Sequence, residues 1–144
     1  MRIIDRFSRE HEAFLKELDE IQLAVASGAD VGRAIARVRT LAGPLLSHAA
    51  NEEVLLFPDL VLKLGGEDGG PVGVLRREHA IIHGQVDTLS GTPAQADFAR
   101  VFAAFDALLR AHIDKEEEIL FPLSARLLGD ERLSEMDEEI AAAV

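Results

Sequence analysis

All five histidines of this chain, His11, His48, His79, His83 and His112, fall where a helix would turn them toward a core. Two are followed four residues later by a glutamate, as His48-x3-Glu52 and His112-x3-Glu116, and two are themselves four apart, as His79-x3-His83. Positions i and i+4 of a helix lie one above the other, so each pair points the same way. Imidazole and carboxylate together form a nitrogen and oxygen donor set for transition metals. The chemistry these spacings offer is metal binding inside a helical bundle.

A plainer reading must be weighed first. A lone histidine on an apolar stripe is more often a hydrogen-bonded core residue than a ligand, and a glutamate beside it can form an ion pair. The set as a whole resists this. Buried carboxylates and imidazoles without compensation would cost on the order of several kcal/mol each. No lysine or arginine shares the stripes to neutralise Glu52 and Glu116. A buried pair of metal cations supplies the missing charge.

An internal repeat sharpens the pattern. His112-Ile113-Asp114-Lys115-Glu116-Glu117-Glu118-Ile119-Leu120-Phe121-Pro122 matches His48-Ala49-Ala50-Asn51-Glu52-Glu53-Val54-Leu55-Leu56-Phe57-Pro58 in its His, its Glu pair and its Leu-Phe-Pro ending. Arg9-Glu10-His11 likewise matches Arg77-Glu78-His79. Residues 1–144 then read as one domain whose halves, roughly 1–64 and 71–128, are copies of one half-site. His83 has Leu15 as its counterpart, so one half offers His79, His83 and His112 and the other His11 and His48. Glu52 and Glu116 are the bridges between two ions.

The elements that must position these residues are helices. Ile4, Phe7, His11, Phe14, Leu18, Ile21 and Val25 advance by threes and fours and predict a helix over 3–26. Asp30 can cap a second helix carrying Ala34, Val38, Leu41, Leu45, His48, Glu52 and Leu55, with kinks at Gly43-Pro44 and Pro58. Gly65-Gly66-Glu67-Asp68-Gly69-Gly70 reads as a central loop. A third helix opens near Pro71 with Val72, Leu75, His79, His83 and Val86 on one face. Thr92-Pro93 suits the N-cap and first position of a fourth helix, with Phe98, Phe102, Phe105, Leu109, His112, Glu116, Ile119 and Leu123 inward. Gly129 ends it, and Asp130 caps a short acidic helix to about Ala142, with Glu131 to Glu139 on a solvated face. The expected fold is all-α, an up-down-up-down four-helix bundle with a short C-terminal helix.

Composition bounds the function. The net charge of -11 argues against nucleic acid and against an anionic membrane surface. No apolar run approaches membrane-spanning length and no secretory leader is evident, so the expectation is a cytoplasmic protein. With no cysteine there is no thiolate ligand or nucleophile, and with no Tyr or Trp the usual radical carriers are missing.

The motif set His11, His48-x3-Glu52, His79-x3-His83 and His112-x3-Glu116 resembles the hemerythrin family in its HHE cation-binding form, over nearly the whole chain. The resemblance implies a non-haem di-iron centre bridged by two carboxylates and a solvent-derived oxo or hydroxo group. One iron would take His79, His83 and His112, and the other His11 and His48. Oxygen-carrying members place an aspartate five residues after the last histidine, where this chain has Glu117. Glu116 is the preferred bridge because it repeats Glu52, with Glu117 the fallback. With five histidines, one coordination position stays open, on the His11 and His48 ion, and Leu15, Phe7 and Phe14 are expected to line the ligand pocket. Glu10, Glu53, Glu78 and Asp114 are read as facing solvent rather than supporting the histidines.

An imidazole-rich site with a vacancy suits dioxygen, nitric oxide or peroxide. The expected function is small-ligand binding, sensing or storage. A sensor would be expected to carry an output domain, which favours a freestanding carrier, store or detoxifier. The alternative is a di-iron enzyme of oxidative or nitrosative stress defence, degrading peroxide or reducing nitric oxide, with a reductase partner. Iron homeostasis, or a structural zinc or manganese site, is the further alternative.

Overall fold

The computed structural model describes residues 1–28, 30–66 and 70–143, and among these every regular element is helical. Helix α1 spans Ile3–Ala26 and α2 spans Val31–Asn51. A single π-helical turn, Glu52–Leu56, links α2 to α3, Phe57–Leu64. Helix α4 covers Gly70–Ser90 and α5 covers Gln95–Lys115. A second π-turn, Glu116–Leu120, leads into α6, Phe121–Ala142. Helix α1 packs on α2, α2 on α4, α4 on α5 and α5 on α1, which closes the expected bundle.

The two π-turns fall on the same residues of the repeat. The backbone N–H of Phe57 donates to the Glu52 carbonyl and that of Phe121 to the Glu116 carbonyl, five residues back in each case. Each turn ends one residue before the Phe-Pro pair, and proline has no N–H to give and would crowd the carbonyl four residues earlier in a regular helix. The wider turn also buries both residues that follow the glutamate by four and five positions, Leu56 with Phe57 and Leu120 with Phe121. A regular helix would put those two about 100° apart. Turns of this kind are frequent at functional sites.

The core has two apolar parts separated by a polar layer. Phe14, Leu18, Ile21, Val38, Leu41, Phe102 and Phe105 belong to one part. Ile3, Phe7, Leu56, Phe57, Leu60, Leu75, Leu120, Phe121, Leu133 and Met136 belong to the other. Along α1 the order is Phe7, His11, Phe14, and along α4 it is Leu75, His79, Ile82, so the histidines sit at the seam.

Local signals performed unevenly. Asp30 caps α2 as expected, its carboxylate accepting from Gly32 N–H at 2.9 Å. Thr92-Pro93 does not open α5. Thr92 takes a positive φ of 56° and its hydroxyl donates to the Gly91 carbonyl, so the helix begins at Gln95 after an uncapped Ala94. Helix α2 continues through Gly43 and Pro44, both exposed. The expected central loop falls partly on 67–69, outside the described residues.

The C-terminal segment is more than a solvated face. Leu133 and Met136 are buried under the bundle end, and Asp137 accepts both Arg6 Nε at 2.5 Å and Arg6 Nη2 at 3.3 Å. It reaches that position because α6 breaks at Gly129, with φ 80° and ψ 162°, a region essentially confined to glycine. No atom crowds a Cβ built there, so Gly129→Ala incurs backbone strain alone. We expect it to destabilise the protein by about 1–3 kcal/mol, read as a lower midpoint in thermal unfolding.

Candidate metal centre

Six side chains converge on the seam. His11 comes from α1, His48 from α2, His79 from α4 and His112 from α5, while the π-turns deliver Glu52 and Glu116. Both glutamates are 0% exposed and all four histidines are buried.

The Nε2 atoms face inward. His11 Nε2 lies 2.9 Å and His48 Nε2 3.8 Å from Glu116 Oε1, while His112 Nε2 lies 3.5 Å from Glu116 Oε2. Glu52 Oε1 lies 3.3 Å from His48 Nε2 and 3.2 Å from His79 Nε2. Each carboxylate therefore reaches both halves of the site. Several of these approaches lack hydrogen-bond geometry. His48 Nε2, His79 Nε2, both Glu52 oxygens and Glu116 Oε2 are buried without a hydrogen-bond partner, which few native polar groups tolerate.

This donor set fits a pair of metal ions. One group comprises Glu52, His79, His112 and Glu116, the other His11, His48 and Glu116, and within each the ligand atoms lie within 4.8 Å of one another. Donors on opposite sides of an ion at bonds of about 2.1 Å stand a little over 4 Å apart, so only small shifts are needed. An ion in each group would satisfy the orphaned nitrogens and oxygens together.

The outward-facing Nδ1 atoms also meet carboxylates. His11 Nδ1 lies 3.0 Å from Glu117 Oε1, His48 Nδ1 2.7 Å from Glu10 Oε1, and His112 Nδ1 2.9 Å from Glu78 Oε1. His79 Nδ1 has Glu53 Oε1 at 3.9 Å, too far for a hydrogen bond. Such carboxylate partners fix the tautomer that leaves Nε2 free to coordinate and make the imidazole more basic. Glu10 and Glu78 are thus corrected from solvent-facing residues to supports of the histidines, while Glu53 stands off His79 without bonding it and Asp114 stays exposed. The available signal was adjacency: each support immediately precedes or follows an inner histidine or glutamate. Glu117, the fallback bridge, faces His11 from outside and accepts the Ser8 hydroxyl at 2.9 Å.

His83 is the main correction. Its side chain is 59% exposed and lies 3.4 Å from Asp87 on the outer face of α4. The α4 stripe runs Val72, Leu75, His79, Ile82, Val86 and Leu89, all buried. After His79 the inward position is three residues on, at Ile82, and His83 is rotated about 100° from it. Each half of the site then has two histidines, His79 with His112 and His11 with His48.

Aromatic rings shape the surroundings. Phe121 stacks on His11 at 5.5 Å and Phe57 on His79 at 5.6 Å, both from the repeated Leu-Phe-Pro. On the opposite side lies a small pocket lined by Phe14, Leu45, Ala49, Ile82, Leu109, Ile113 and the four histidines. It admits the centre of a water-sized sphere over about 10 Å³, close to one water's allowance. Phe14 is among its walls. Leu15 is not, being half-buried against the neighbouring core, and Phe7 meets His48 edge-on at 4.7 Å from the other side.

Electrostatics follow from burial. Burial and the Glu116 charge push the Glu52 carboxyl up. Burial would also raise Glu116, but contacts with Glu52, His11, His112 and His48 hold it well below the usual carboxylate range. Burial disfavours the His48 imidazolium, yet the Glu52 charge and the bonds to Glu10 and Glu116 raise it well above the usual value. His112 is raised in the same way by Glu116, Glu52 and Glu78.

A helical bundle with a buried His and Glu seam defines a metal-binding helical protein, and the comparisons name its family. The chain belongs to the hemerythrin HHE cation-binding domain family, whose model matches residues 2–124. It is similar to the iron-sulfur cluster repair protein YtfE of Enterobacter sp. (strain 638), with 29% identity over 136 residues. The match covers 83% of this chain and 62% of that protein, so the chain spans less than two thirds of its relative. No solved structure matches at a significant level. No described helix is long and apolar enough to cross a membrane.

Two outcomes test the geometry. His79→Ala should lower bound iron, measured by metal analysis, whereas His83→Ala should leave it unchanged. Metal binding should also strengthen as pH rises, because His48 and His112 hold protons above the usual range without an ion and must release them to coordinate. Chelator competition between about pH 6 and about pH 8 should show a rise of about tenfold or more; a flat profile would contradict the site.

Proposed function

We propose that this chain holds two iron ions through His11, His48, Glu52, His79, His112 and Glu116, with a solvent-derived oxo or hydroxo bridge, and that it binds a small ligand such as dioxygen or nitric oxide. The iron pair would supply the open coordination and the electrons that such ligands need. The observation carrying this reading is the pocket against the four imidazoles. It is apolar apart from them and of a size for a diatomic rather than a larger substrate. Phe14, Ile82 and Ile113 keep bulk water away, and the outer carboxylates orient the rings. The protein is taken as cytoplasmic and its two halves as copies of one half-site.

A second reading, a role in oxidative or nitrosative stress defence, rests on the similarity to a protein named for iron-sulfur cluster repair. It uses the same pocket and differs in the fate of the ligand once bound.

Ile82→Phe fills the pocket without touching a donor atom. Iron content should stay as in the parent, while azide or nitric oxide affinity, followed by visible absorption, should fall by about tenfold or more, since overpacking a tight site costs about 1–3 kcal/mol. Unchanged affinity would put the ligand elsewhere. Adding nitric oxide anaerobically to the ferrous protein and assaying the gas phase separates the two readings: nitrous oxide would mean turnover, and a stable adduct would mean binding.

A further inference from the structure

The two halves of the site have the same inner residues but different charges behind them. Aligning His79 with His11 and His112 with His48 pairs Arg76 with Ser8 and Lys115 with Asn51. Behind His112, Glu78 pairs with Lys115 Nζ, and behind His79, Glu53 has Arg76 Nε at 3.6 Å. Behind His11, Glu117 accepts the neutral Ser8 hydroxyl and makes no ion pair with any lysine or arginine among the described residues. Behind His48, Glu10 makes no ion pair with any lysine or arginine among the described residues; the Arg6 guanidinium one turn back is held by Asp137 and acts on Glu10 only at longer range. The imidazole bonds differ in the same sense. His11, His48 and His112 meet their carboxylates at 3.0, 2.7 and 2.9 Å, and His79 alone stands off, 3.9 Å from Glu53.

A carboxylate bonded to Nδ1–H pushes electron density through the ring onto a bound ion and favours its higher charge. A cation on that carboxylate opposes the push and adds positive potential, which favours the lower charge. Both differences act in one direction.

We propose that the two metal positions are electronically unequal: a half-reduced pair keeps its ferrous ion between His79 and His112, and Lys115 and Arg76 enforce this through Glu78 and Glu53. The inference rests on the iron reading above. One electron from an added donor such as dithionite converts Fe3+ to Fe2+ in the His79 and His112 half, and the other ion stays Fe3+. Lys115 and Arg76 are positioning residues that touch no donor atom of the inner site.

The test is site-resolved anomalous diffraction at the iron edge on crystals of the half-reduced protein, with an EPR-monitored dithionite titration in solution. The parent should show the lower-energy edge at the His79 and His112 position, with a preference of about tenfold or more. Exchanging the charges with Ser8→Arg, Asn51→Lys, Arg76→Ser and Lys115→Asn should move it to the His11 and His48 position. The single variant Lys115→Asn, a partly exposed change that leaves the bundle core intact, should narrow the separation between the two reduction steps. Equal edges in the parent, a ferrous ion in the other half, or an unmoved assignment and unchanged separation in the variants would overturn the proposal while leaving the iron pair in place. Absence of an exchange-coupled EPR signal from the parent would instead remove the iron pair, and this inference with it.

Discussion

Two carboxylates, those of Glu52 and Glu116, sit fully buried between four imidazoles, and the rest of the structure answers to that constraint. Among the described residues neither has a lysine or arginine within ion-pair distance, and of their four oxygens only Glu116 Oε1 finds a hydrogen bond. Without metal, protons on the histidines and on Glu52 are the compensation at hand, and burial works against every charge present. Breaking up such a cluster by removing one partner is far more costly than never having built it. A fold that keeps it gains a site with strong demand for cations.

The remainder of the bundle holds this layer in place. Each π-turn delivers a glutamate inward and the following phenylalanine onto a histidine of the other helix pair, which ties the halves together. The outer carboxylates are drawn from the neighbours of the inner ligands, so one short motif supplies both an inward donor and a support for another ring. The closing segment after Gly129 seals the end beyond Phe7 and Phe121 with Leu133 and Met136. The site is thereby closed to bulk solvent except at the apolar pocket.

Most of the fold was legible because the helices are long and their apolar stripes regular. Helix α1 matches its expected span, and the repeated His-x3-Glu motifs located the inner layer. His83 was misread because spacings of three and four both keep a residue near one face, and histidine's chemistry favoured the wrong choice. Ile82, a buried aliphatic in step with Leu75 and Val86, was the better guide to the stripe. The supporting role of Glu10 and Glu78 was hidden for a different reason. It depends on the crossing of two helices, whereas a single helix pattern shows an acidic residue at the edge of the stripe as solvated. Thr92-Pro93 failed as a cap because Thr92 adopts a left-handed backbone and commits its hydroxyl to Gly91. The π-turns left a trace in the two Leu-Phe-Pro sequences, where adjacent large apolar residues precede a proline.

The central claim, that the buried carboxylate layer exists to hold a pair of cations, is tested most directly by thermal unfolding across a series of free ferrous iron concentrations under anaerobic conditions, with bound metal counted in parallel. An ion that binds only the folded chain stabilises it by about 2.7 kcal/mol at a hundred times its dissociation constant. Two ions should bind per chain, and the unfolding temperature should climb steadily with free iron. An unfolding temperature indifferent to iron, or a single ion bound at saturation, would contradict it.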